Sequence, residues 1–481
     1  MQPLFLWITN NHDLAITIFW SLNAILTAFV ILLENREPEK SMAWFLVFLT
    51  FPFVGFIVYL FFGRDWHKHS YAQKRLNHAM TEKRLREPSH ATQGHTCNEE
   101  DAECTLRTLA TNVSGLKSTA GNQVAILTNA HEKFPRLIES LRGAKRNIDI
   151  EYYKFRYDAI GREIVEILSE RARKGVRVRL VVDGMGSFGF GAKAFASLRK
   201  AGVHATYFSP LITLFYFFKA NYRDHRKIVV VDDEVAYTGG INIGDEYFGK
   251  TKRGYWRDTS IELRGPCVKQ FVDIFEETWK RSTNEDPRTD MKKQDAFSGG
   301  ETVNIIPSGP DSDWKAIHQT YLALIQTARH RLRIQTPYYI PDESLVSALT
   351  LAALRGVTVE LMIPRSPDHQ YLRWAANTYI EDLLRAGGHV YEYNAGFLHT
   401  KSVIMDDALA SVGTCNVDIR SLRLDFEVNI LLSSKESLKR LNDDFELDLE
   451  TCEELIYDSF IGRPISQRMK ESLARLISPL L

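Results

Sequence analysis

"HTKSVIMDD", residues His399 to Asp407, and "HRKIVVVDD", which begins at His225, are two copies of one pattern. Both read His-x-Lys-x-x-x-x-Asp: His225, Lys227 and Asp232 in one, His399, Lys401 and Asp406 in the other. Ten residues after each aspartate stands an asparagine, Asn242 in "GGIN" and Asn416 in "GTCN". One copy of such a motif arises by chance in roughly one chain of this size in twenty, so alone it says little. Two copies with the same trailing asparagine belong to a repeat.

The surroundings repeat as well. "NIDIEYYKF" reads as a strand, Ile160 to Lys174 as a helix, and "GVRVRLVVD" as a further strand. Later, "RLRIQTPYYI" is a strand, Glu343 to Arg355 a helix, and "GVTVELMIP" a strand. Gly-Val opens the later strand in both series, and Ala-Gly follows the next helix in both. A unit this long is not a solenoid repeat. The pattern predicts two homologous α/β lobes, 121–295 and 296–481, related by a pseudo-twofold.

The chemistry follows from alternation along a strand. Residues i and i+2 share a face, so each lobe presents a histidine and a lysine together. A tight turn at Gly239-Gly240 or Gly413 brings the following asparagine back towards them. Two lobes face to face then offer two imidazoles, two ammonium groups and two amides, a set that suits a phosphodiester. Lys227, Lys401, Asn242 and Asn416 stabilise the non-bridging oxygens. One histidine attacks phosphorus and the other serves as acid and base. Each imidazole needs a carboxylate on its other nitrogen. Asp258 in "YWRDTSIEL" and Glu427 in "DFEVNILL" lie in the strand after each motif, so Glu427 is expected to hold His399. Asp232 and Asp406 end the motif strands and are expected to fix turn geometry or a lysine. Lysines beside the phosphate do the work of a cation, so neither a metal nor another cofactor is expected.

The chain has 481 residues and a formal net charge of zero, which gives no global argument for nucleic acid. The start is unlike the rest. Residues 14–33 and 42–62 carry no charge and are each long enough, at ~1.5 Å per residue, to cross a bilayer core. Only "ENREPEKS" separates them, so 1–63 reads as a transmembrane helical hairpin. Lys and Arg dominate 64–86, which places the lobes on the cytoplasmic side. Residues 64–120 read as a basic juxtamembrane helix and a linker. Five scattered cysteines show no zinc spacing or disulfide framework and read as reduced thiols. Between Gly202 and His225 the first lobe carries an oily insertion, 211–221, that reads as a membrane-dipping lip. The stripe Ile465, Met469, Leu473, Leu476, Ile477 and Leu480 reads as a helix face packed into a core.

The paired motif resembles the phospholipase D superfamily. With the hairpin, "SMAWFLVFLTFPFVGFIVYLFFGR", "HTKSVIMDDALASVGTCNVDIRSL" and the tail "SPLL", the chain is similar throughout to bacterial cardiolipin synthases with two membrane helices. The resemblance implies two phospholipase D-like lobes, an α/β sandwich, in the bacterial inner membrane. It implies phosphatidyl transfer between two phosphatidylglycerol molecules to give cardiolipin and glycerol, with His225 as nucleophile and His399 as acid and base. The motifs alone do not choose the acceptor: water gives a phospholipase D, another alcohol a phosphatidylserine synthase. A nuclease-type reading would want a basic, aromatic-studded surface around the motifs, and the neutral total and the oily insertion argue against it; a non-catalytic scaffold would not keep both motifs intact.

Overall fold

The computed structural model describes residues 101–208, 222–249 and 254–477 apart from positions 293 and 313, with helix Pro38–Thr50 and scattered positions between 13 and 59. Of the two membrane helices expected, 14–33 lies largely outside these residues, whereas 42–62 is described at most of its positions and opens within helix Pro38–Thr50; 64–100 and the insertion 211–221 lie wholly outside. Among the described residues no helix is long and apolar enough to cross a membrane. Helix Pro38–Thr50 belongs to a unit of its own and begins inside the stretch read as a connecting loop. Proline suits its first position, where the missing N–H has no helical acceptor.

The remainder is one compact unit built on a 15-stranded sheet. The first half supplies β1 (Thr119–Thr128), β2 (Asn147–Tyr152), β3 (Arg177–Asp183), β4 (His204–Phe208), β5 (Lys227–Val231), β6 (Val235–Gly239), β7 (Tyr255–Arg257) and β8 (Thr259–Arg264). The second supplies β9 (Glu301–Ser308), β10 (Arg331–Gln335), β11 (Tyr339–Ile340), β12 (Thr358–Pro364), β13 (His389–Tyr393), β14 (Gly396–Leu398), β15 (Ser402–Met405), β16 (Leu409–Gly413), β17 (Val417–Asp418), β18 (Glu427–Leu432) and β19 (Cys452–Glu454). From the central antiparallel β1–β9 pair the sheet runs outward as β1-β8-β6-β5-β2-β3-β4 on one side. On the other it runs β9-β18-β16-β15-β10-β12-β13-β19. The strands match one for one until β19, so the repeat in sequence is a repeat of topology.

Alternation along the motif strands divides the core into layers. Ile228 and Val230 of β5 share one apolar cluster with Ile404, Val412, Val428 and Ile430 of the second half. Val229 and Val231 face the first half's own core, and Val403 and Met405 the second's. Each such side chain contributes about 1.5–3 kcal/mol when fully buried. The four residues between Lys and Asp are therefore mainly apolar because both faces of the strand are covered.

Three expectations need correction. The stretch 64–120 is not linker to its end, because helix Ala102–Ser114 docks on the second half. Its Leu106 and Ala110 enter that half's core, and Arg107 donates to Asn304 Oδ1 at 2.6 Å and Ser433 Oγ at 2.6 Å. The buried guanidinium is invisible to a search for apolar periodicity. Cys104 is disulfide-bonded, whereas Cys267, Cys415 and Cys452 are free thiols. A lone pair leaves no repeated spacing to read. The stripe on helix Ile465–Ile477 faces outward, with Ile465 77%, Met469 62%, Leu473 63% and Leu476 76% exposed.

Candidate active site

His225 and His399 stand two residues ahead of their lysines, at the entrances to β5 and β15. Two short cross-connections bring these entrances together. β14 pairs in parallel with β7 of the other half, and the His399 N–H donates to the Arg257 carbonyl at 2.7 Å. On the opposite side Asp224 bridges Phe426, and the His225 N–H donates to the Phe426 carbonyl at 2.9 Å. Each histidine is thus tied to the residue immediately before the other half's carboxylate.

The carboxylates consequently serve crosswise. His399 Nδ1 lies 2.6 Å from Asp258 Oδ2, and His225 Nδ1 lies 2.8 Å from Glu427 Oε1. The expectation that Glu427 holds His399 is corrected: the strand after each motif is in the right place, but the cross-connections hand its carboxylate to the partner lobe. With Nδ1–H donated to a carboxylate, Nε2 of each ring is the atom left for substrate.

Lys227 Nζ donates to the His225 carbonyl at 2.6 Å, and Lys401 Nζ donates to the His399 carbonyl. These matching contacts fold each lysine back beside its own histidine. Asn242 is committed, accepting from the Lys154 N–H at 3.2 Å and donating to Tyr247 Oη at 2.8 Å. Asn416 donates to Ser421 Oγ at 3.2 Å, and its Oδ1 is buried without a hydrogen-bond partner among the described residues.

Asp232 and Asp406 occupy the far ends of β5 and β15. Asp232 accepts from the N–H groups of Lys145, Arg146 and Asn147 at 2.8, 2.6 and 3.0 Å. Asp406 does the same for Arg329, His330 and Arg331 at 2.7, 2.8 and 2.7 Å. Both sit at positive φ, 55° and 52°. Of the two roles expected for them, turn geometry is the one these contacts serve: a whole strand separates them from the histidines, and they fasten the turns into β2 and β10.

Burial and crowded cations set the protonation states. His225 is held well below its usual value, first by burial and then by Lys227, Lys401 and Arg420. His399 falls to about 4, by burial and Lys401, against the pull of Asp258. Burial lowers Lys227 to about 8 and Lys401 to about 7. Burial also raises Glu427 to about 7. Asp258 is buried too, but Lys401 and His399 outweigh that and keep it below the ordinary carboxylate range. The site therefore sets neutral imidazoles beside two lysines that burial makes poor at keeping their charge.

The two walls differ. The His225 ring meets Tyr153 edge-on at 4.9 Å, and Arg420, paired with Asp425 at 3.3 Å, lies close enough to influence it. The His399 ring lies against Trp256 at 5.2 Å and Phe397 at 5.8 Å. Thr414 Oγ1 donates to Glu427. Its counterpart Gly240 has no side chain, and a Cβ there would stand 2.0 Å from Asp258 Oδ1. Sequence reasoning missed Tyr153, Trp256 and Phe397. The available signal was position, since Trp256 and Asp425 each stand two residues before a histidine-holding carboxylate.

The family model described as "Cardiolipin synthase, PLD-like domain" matches residues 137–279 and 321–449, and "Phospholipase_D-nuclease N-terminal" matches 22–64. A cardiolipin synthase of Geobacillus kaustophilus is 39% identical over 97% of this chain and 93% of its own. The major cardiolipin synthase ClsA of Bacillus subtilis is 37% identical over 98% of this chain and 99% of its own. Among solved structures, the phosphatidylserine synthase of Haemophilus influenzae superposes with a TM-score of 0.62 over 78% of this chain and all of that one. At 15% identity this speaks for the fold alone.

Proposed function

The chain belongs to the phospholipase D-like cardiolipin synthase family, and on that premise we propose that its cleft moves a phosphatidyl group from one phosphatidylglycerol to another, giving cardiolipin and glycerol. His225 Nε2 attacks phosphorus while the glycerol oxygen leaves with a proton from His399. The phosphohistidine is then attacked by a hydroxyl of the second phosphatidylglycerol, which returns a proton to His399 and frees His225. Lys227 and Lys401 hold the non-bridging oxygens and stabilise charge on the five-coordinate phosphorus.

The observation that carries this reading is the crosswise pairing of two histidines, His399 buried and His225 half-buried, each with a carboxylate on Nδ1 and a lysine beside it. A neutral imidazole is competent as the nucleophile, and the phosphodiester's charge raises the second imidazole into its protonated, acidic form. The lysines supply the positive charge, so no metal enters the scheme, and full activity in excess EDTA is expected. The apolar runs before residue 63 and the basic stretch after it support a membrane hairpin with the lobes on the cytoplasmic side.

Purified protein given labelled phosphatidylglycerol, with products followed by thin-layer chromatography, tests the reading. Cardiolipin and free glycerol in equal amounts are expected. Phosphatidic acid as the sole product would make the enzyme a hydrolase instead. His225→Ala and His399→Ala should each abolish transfer.

A further inference from the structure

Helix Ile465–Ile477 is inverted relative to an ordinary surface helix. At 3.6 residues per turn, Ile465, Met469, Leu473 and Leu476 fall within an arc of about 80°, and they are 77%, 62%, 63% and 76% exposed. The opposite side meets helix Gln370–Arg385 and buries Glu471 and Ala474. Glu471 accepts from Asn377 Nδ2 at 2.7 Å, Gln467 Nε2 at 3.1 Å and Arg463 Nη2 at 3.0 Å. The carboxylate is fixed inward, so the helix is not free to roll its oily face under.

Cations border the apolar arc on both edges. Lys470 lies on one side, with its ammonium 6.0 Å from the Trp374 ring. Arg468 and Arg475 lie on the other; Arg468 is 3.6 Å from Glu381, and the Arg475 guanidinium lies 5.0 Å from the Tyr379 ring. Two more exposed isoleucines, Ile456 and Ile461, stand at the ends of the short helix just before it.

We propose that this helix lies in the surface of an anionic bilayer, with Ile465, Met469, Leu473 and Leu476 among the acyl chains and its flanking cations at the lipid phosphates. An apolar arc edged by Lys and Arg on an in-plane helix is what such a surface accepts. The basic edges fit anionic lipid in particular, the charge type of the substrate read above. The long cationic stems reach the headgroups from either side. The proposal rests on the lipid reading for its partner, but its geometry stands apart from the cleft.

The test uses the full chain in bilayers of phosphatidylglycerol and phosphatidylethanolamine, with benzoylphenylalanine placed by Leu473→benzoylphenylalanine. Leu447, 62% exposed on the polar helix Lys435–Leu449, takes the same group as a background control. Illumination and mass spectrometry should give lipid adducts at position 473 well above those at 447. Cross-linking to a second copy, to other residues of the same chain, or to nothing above background would overturn the proposal, whatever the enzyme's activity. A Met469→Asp, Leu473→Asp double variant should lose about tenfold in turnover of bilayer phosphatidylglycerol. It should keep wild-type turnover of a short-chain, monomeric phosphatidylglycerol. Equal loss on both substrates would count against a surface role.

Discussion

Asp258 holds His399 at 2.6 Å although the two residues lie in different halves of the chain, and Glu427 returns the arrangement to His225 at 2.8 Å. Neither half therefore supplies the carboxylate of its own histidine. Damage to one lobe's carboxylate appears as a defect of the other lobe's imidazole, which separates the two chemical roles experimentally.

A nitrophenyl phosphodiester has a leaving group that needs no proton. With it, Asp258→Asn should form phosphohistidine at close to the wild-type rate and stall when an alcohol must be deprotonated. Glu427→Gln should slow formation itself by about 10²–10⁴-fold, the usual worth of a positioned proton-transfer partner. Rapid-quench measurement of the nitrophenol burst reads both. A burst lost in Asp258→Asn but kept in Glu427→Gln would reverse the roles of the two histidines.

Gly240 owes its identity to the same pair. Its backbone is of an ordinary kind, but an added Cβ would lie 2.0 Å from Asp258 Oδ1 and 2.7 Å from its Cγ. Gly240→Ala should push the carboxylate off His399 and cut turnover about a hundredfold or more. Thermal unfolding should move by only a few degrees, because one contact is lost rather than a core. Wild-type turnover would show that Asp258 has room to yield.

Asp232 and Asp406 call for the opposite outcome. Each carboxylate satisfies three consecutive N–H groups from a left-handed backbone position. Asp232→Ala leaves those donors short and places alanine at φ 55°, so a loss of about 2–3 kcal/mol of stability is expected. Turnover per folded molecule, counted by active-site titration, should stay within about threefold of wild type. A stable but inactive Asp232→Ala would return the residue to the chemistry.

The motif residues were legible in the sequence because the repeat doubled a weak signal, and strand alternation gave the side chains their faces. Asp258 and Glu427 were legible as carboxylates in the next strand. Their partners were not, because the exchange depends on β7 pairing with β14 and Asp224 with Phe426, contacts between halves that no local pattern encodes. The stripe at Ile465 shows the same limit. Periodicity marks an apolar face but not its direction, which here is set by Glu471 and its three donors.

The two lysines make anion binding dependent on pH. Burial lowers Lys401 to about 7 and Lys227 to about 8. An anion seated between them favours the charged forms and raises both values, so binding near pH 8 takes up protons. A ligand that takes up protons binds more weakly as pH rises. Below about pH 7 affinity for tungstate, a phosphate mimic, should fall by at most about tenfold per pH unit, for the one proton that His399 takes up. Above that it should fall further, by up to about tenfold per pH unit for each lysine that has to regain its proton. Titration calorimetry at pH 8, in two buffers of different ionisation heat, reads the uptake directly. Lys401→Met should remove one proton from that uptake and flatten the slope. Proton release, or an affinity constant from pH 6 to 9, would mean that the lysines are already charged before the phosphate arrives.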